Sequence, residues 1–90
     1  MEIIDSALLG GMPLADIVKV VFYKRDALTT DLICCEMETA QGTRTFHEEM
    51  TGWGLLISHL EGLSGFNKGW FAAVSQPPFE SCKTVAFIRG

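Results

Sequence analysis

The chain reads as a small α+β domain. The expected architecture is an antiparallel sheet of about four strands with one main helix and one short helix on one face, in the order β-β-β-α-α-β. Three observations point there. Up to Met50 the apolar residues fall in short runs rich in Val, Ile, Phe, Tyr and Thr, joined by connections too short for a crossover helix. After Met50 the apolar spacing changes to that of a helix face. The final stretch, "CKTVAFIRG", returns to strand character.

Taken in order, residues 1–12 read as an N-terminal arm and residues 13–90 as a single α+β domain. Ile3, Ile4, Leu8 and Leu9 make the arm apolar, and Gly10-Gly11 ends it. Nothing local decides whether it is a short helix, an edge strand or a loose tail. Met12 is a second possible start residue, which would make the arm dispensable.

"DIVKVVFYKRD" follows Pro13 and is the first strand. Alternation places Val18, Val20 and Phe22 on one face, and Lys19, Val21, Tyr23 and Arg25 on the other. The second face is only half polar, so a partner or the arm is expected to cover part of it. "ALTT" connects to the second strand, "DLICCEMET". "AQGT" is the hairpin turn, with Gly42 free to take positive φ. "GTRTFHEEM" is the third strand. In "TGWGLLISHLEGL", Trp53, Leu56, Ile57, Leu60 and Leu63 share one helix face, with Thr51 as N-cap and Gly65 as stop. "NKGWFAAVSQ" is a second short helix, capped by Asn67 and ended by Pro77-Pro78.

Composition removes several function classes. Ninety residues make one domain, with 48% hydrophobic and 20% charged residues. A net charge of −4 without any basic block excludes the electrostatic term that drives nucleic-acid binding, and argues against anionic membranes. No apolar run approaches the ~20 residues that span a bilayer. The start "MEIIDSALLGGMPLAD" opens with an acid and lacks a basic n-region, and three cysteines is an odd number. The expectation is a reduced, cytoplasmic protein. The mean hydropathy of +0.24 is high for so small a domain, which points to a homodimer or a partner-binding face.

Candidate chemistry is sparse. Cys34 and Cys35 are strand neighbours and point to opposite faces, so they cannot share a metal, and the Cys-X-X-Cys redox spacing is absent. Cys35 joins Ile33 and Met37 as core; Cys34 joins Glu36 and Glu38 on the wetter face. In "FHEEM", His47 and Glu49 fall on one strand face and form a candidate acid–base pair, against the plainer reading of a solvated strand end. His47 and His59 lack any metal-ligand spacing, so no metal and no cofactor are expected. "YKRDALTTD" offers Lys24 and Arg25 to an anion, but Asp26 and Asp31 oppose it. Trp53, Phe66, Trp70, Phe71 and Phe79 either close the core or line a recognition surface, with Trp70 and Phe79 the candidates for ligand contact.

The patterns "DIVKVVFYKRDALTTDLICCEME", "FHEEMTGWGLLISHLEGL" and "GFNKGWFAAVSQPPFE" resemble a group of small bacterial proteins of unknown function. The resemblance spans about residues 16–80 and implies a bacterial cytoplasmic origin, with no activity, cofactor or catalytic residue attached. The sheet and helix order is also similar to part of a pleckstrin-homology-like sheet. The functional expectation is a non-catalytic protein- or peptide-interaction module. The alternative is a small-molecule binder or minor enzyme with its site around His47 and Glu49.

Overall fold

The computed structural model describes residues 3–26, 31–75 and 83–89. Its four strands are β1 (Ile17–Asp26), β2 (Asp31–Thr39), β3 (Gly42–His47) and β4 (Lys83–Ile88). They form one antiparallel sheet in the order β3-β2-β1-β4, so the last strand returns beside the first. Among the described residues the helices are α1 (Ser6–Gly10), α2 (Trp53–Leu60) and α3 (Trp70–Ser75), with a 3-10 turn at Leu14–Asp16. The expected α+β class and helix order hold.

The β2–β3 hairpin is built as its residues demand. Gly42 takes φ 132, a conformation that side chains with a Cβ rarely adopt. The Thr39 hydroxyl donates to the Gly42 carbonyl at 3.0 Å and accepts from the Gln41 N–H at 3.2 Å, tying the turn.

Alternation decides which face carries the core. Val20, Phe22, Cys35, Met37 and Phe46 project from one side and are buried against Leu56, Leu60, Leu63, Phe66 and Trp70. The helical stripe therefore lands on the sheet as its spacing predicts. Phe22 is the centre of this packing. Its ring stacks on Trp70 with centroids 3.8 Å apart and meets Trp53 and Phe66 edge-on at 6.2 and 6.4 Å.

Several local expectations are corrected. Val18 does not join Val20 and Phe22 on the core face; it is 38% exposed. A bulge between Ile17 and Lys19 shifts the β1–β2 register, and Ile17 takes the buried place instead. A second irregularity, between Val20 and Val21 against Phe87 and Val85, lets the neighbours Ala86 and Phe87 both turn inward. The Ala86 carbonyl then accepts from the Asn67 N–H at 2.7 Å. β3 ends at His47 rather than running to Met50.

Helix α2 starts at Trp53, and its cap is Gly52 in the left-handed region at φ 92, not Thr51. The reason is the arm: the Ile4 N–H donates to the Thr51 carbonyl at 2.8 Å. A Cβ on residue 52 would stand 1.8 Å from the Ile4 carbonyl oxygen. The arm is thus clamped, with α1 capped by Asp5, whose carboxylate accepts from the Leu8 N–H at 2.8 Å. Ile4, Leu9 and Met12 are all core residues. Gly65 does take positive φ, but five residues past the end of the regular helix, which stops at Leu60. The predicted stop at Pro77-Pro78 lies outside the described residues.

Candidate functional site

The helices pack on one side of the sheet, so chemistry has to be sought on the other. Strand registers fix what stands there. Tyr23 pairs with Cys34 across β1–β2, and Cys34 pairs with His47 across β2–β3. The three side chains form one row, and Lys83 of β4 extends it, its ammonium 5.9 Å from the Tyr23 ring centroid. The Glu48 N–H donates to the Ile33 carbonyl at 3.0 Å, which marks Ile33–Glu48 as a hydrogen-bonded position. Cys34–His47 is then a non-hydrogen-bonded pair, the closer kind, with Cα atoms ~4.5 Å apart.

Cys34 is not on a wet surface, as alternation alone suggested. It is 1% exposed, enclosed within a single chain between larger neighbours, and Leu32 beside it on this face is also buried. Burial pushes its thiol up; Arg25 and a hydrogen bond with the Tyr23 hydroxyl pull the other way, and Glu48 adds to the rise. Burial likewise raises Tyr23, helped by Cys34 and Glu36. Cys35, fully enclosed in the core as expected, is pushed far above the ordinary thiol range by burial. Both cysteines are free thiols, held protonated at neutral pH. Neither is an activated nucleophile.

His47 is half-buried, and its Nδ1 is fully enclosed without a hydrogen-bond partner among the described residues. Glu49 does not complete the expected acid–base pair. The alternation that would set it beside His47 stops with β3, and Glu49 stands exposed in the turn. Its neighbour Glu48 is the carboxylate with a structural role, accepting the Ile33 N–H at 3.0 Å through Oε1. Nothing in the sequence separates the two glutamates; only the strand end does.

The other candidates disperse. Trp70 is 6% exposed, with its ring committed to Phe22, so it closes the core. Phe79 and Cys82 lie outside the described residues. Lys24 and Arg25 point to opposite faces of β1: Lys24 is buried on the core side and Arg25 is exposed on the other, so they do not converge on an anion. The His59 ring bonds the Met12 carbonyl at 2.9 Å through Nε2, fixing the arm to α2. Among the described residues no three His, Cys, Asp or Glu side chains gather as a metal site requires. No helix among them is long and apolar enough to cross a membrane.

What remains is a surface. Beyond the Tyr23 row, the open face carries Val21 and Val85 in the next row and Lys19 and Ile88 in the one after. Val85 is 48% and Ile88 66% exposed. On β2 the same rows continue with Glu36 and Glu38. None of Lys19, Glu36, Glu38 and Lys83 forms an ion pair among the described residues. The sequence showed the half-polar alternation of β1, but placing Val85 and Ile88 beside it required knowing that β4 pairs with β1. No family model matches this chain, and neither the curated proteins nor the solved structures contain a significant match.

Proposed function

We propose that the chain is a non-catalytic interaction module that docks a protein or peptide on the open face of its sheet. The observation that carries this is the face that no helix among the described residues covers, on which Val85 and Ile88 stand exposed beside Val21 and Tyr23. The buried, protonated thiols and the separation of Glu49 from His47 support a role without catalysis. The setting that goes with this reading is a reduced bacterial cytoplasm, in which Cys34 and Cys35 persist as thiols.

The test is affinity capture from the cells that make the protein, comparing the wild type with a Val85→Asp/Ile88→Asp variant. Both positions are exposed, so the variant keeps its fold. The expected result is a captured protein, either an unlike chain or a native copy of this one, that the variant loses. Recovery of a metabolite alone, or capture indifferent to the two substitutions, overturns the proposal.

One observation favours the second reading, a small-molecule site at His47: its enclosed Nδ1 has no partner, and such a group costs free energy until something bonds it. A His47→Phe substitution that abolishes metabolite binding in the same capture experiment would establish that reading instead.

A further inference from the structure

Resting on the docking face just described, we infer that its occupant is a second copy of the chain, laid face to face about a two-fold axis that runs parallel to the strands between β1 and β2. Two constraints select this geometry, one from area and one from charge.

The area constraint fixes where the axis lies. Four strands ~4.8 Å apart and three rows of side chains, six residues at ~3.4 Å, give a flat footprint of only ~400 Å². A stable pairing needs about 800 Å² of accessible surface from each partner. A projected footprint of half that figure reaches it only through the relief of the side chains standing on it, so the face cannot give up half its width and the two sheets must overlap fully. With the order β3-β2-β1-β4, full overlap puts the axis on the midline, between β2 and β1.

The charge constraint fixes its direction. The open face is acidic on β2, through Glu36 and Glu38, and basic on β1 and β4, through Lys19, Arg25 and Lys83. An axis across the strands would lay each strand over its own copy, acids over acids and bases over bases. An axis along the strands lays β2 over β1 and β3 over β4. Glu38 of each copy then faces Lys19 of the other in the same row, and the exposed Val85 and Ile88 cover the methyl-bearing Thr45 and Thr43. Within each chain Glu38 and Lys19 are already cross-strand neighbours without an ion pair. The dimer closes them into a square of alternating charge. Aligned sheets cross at about 30°, which disturbs the positions flanking the axis least.

The test is sedimentation velocity on the purified chain over a dilution series, with charge reversal at the two positions. The wild type is expected to sediment as a dimer. Lys19→Glu and Glu38→Lys each turn two attractive contacts into repulsive ones and are expected to weaken the homodimer on the order of tenfold. Mixing the two variants restores opposite charges at both contacts, so a mixed dimer of wild-type strength is expected. Rescue on mixing cannot arise inside one chain, so it separates docking from folding. If a reversal variant fails to keep the wild-type circular dichroism, Val85→Asp replaces it, with dispersal to monomer expected. A monomeric wild type at high micromolar concentration, mixed variants that stay apart, or a Val85→Asp dimer of unchanged strength each overturns the inference. A monomer that still captures another protein through Val85 and Ile88 would sink the second copy while leaving the interaction module standing.

Discussion

Replacing Ile4 by alanine tests whether the N-terminal arm belongs to the fold. Ile4 is 1% exposed and sits in the core cluster with Leu9 and Met12. The substitution removes three carbons, worth ~2.4 kcal/mol at ~0.8 kcal/mol each, and the cavity left behind brings the loss to about 3 kcal/mol. A domain of this length has a total stability of about 5–14 kcal/mol, so a large share disappears. At ~4–8 °C per kcal/mol for a chain of this size, Tm falls by ~12–24 °C. Circular-dichroism melts and urea titrations measure both quantities.

Gly52→Ala probes the same contact from the other side. Its Cβ would meet the Ile4 carbonyl oxygen at 1.8 Å, so the arm must leave or α2 must shift. Once the arm is displaced, Ile4→Ala has little left to remove. The double variant is therefore expected to cost less than the sum of the singles by ~1–3 kcal/mol. A Tm change below ~4 °C for Ile4→Ala, or strict additivity in the cycle, would refute an arm docked between Gly52 and the core. The same result would revive Met12 as a harmless start.

Alkaline pH should destabilise the protein. Cys35 has its folded pKa raised above the unfolded value of 9.0, so its contribution is complete below pH 9.0 and is lost as pH rises toward the folded value. At pH 10 it alone costs about 1.4 kcal/mol relative to neutral pH, with Cys34 acting in the same direction; urea titrations at the two pH values check this, and Cys35→Ala should flatten the slope. Ellman's reagent should find Cys34 and Cys35 unreactive in the native protein at neutral pH, each reacting only on unfolding; fast labelling of Cys34 would contradict its enclosure by neighbours within the chain. Trp70→Ala should cost ~3–5 kcal/mol, because it strips the stacked ring from Phe22. If the loss stays near that of an exposed residue, Trp70 is available for ligands after all.

Much of the fold was legible because it is written in short-range periodicity. The alternation in β2 put Ile33, Cys35 and Met37 together, and the helical spacing from Trp53 to Leu63 named the side chains that meet them. The site was less legible. His47 and Glu49 looked paired because alternation was extended past the true strand end, which a Glu48–Ile33 contact closes from another strand. Cys34 looked exposed because its strand neighbours are acidic, while Tyr23 and His47, which flank it, come from other strands. Thr51 looked like the helix cap because no local rule shows that its carbonyl is already held by Ile4.

By itself the sequence determined the element types, the tight hairpin at Gly42 and the apolar face of each element, since backbone preference and side-chain alternation act over a few residues. Only the tertiary structure decided that β4 closes beside β1, that the arm fills the core through Gly52, and that bulges at Val18 and Ala86 re-aim their neighbours. Those choices depend on which distant surfaces meet and on whether a Cβ fits between them. They also build the open face, where Val85 and Ile88 join Val21 and Tyr23 from opposite ends of the chain.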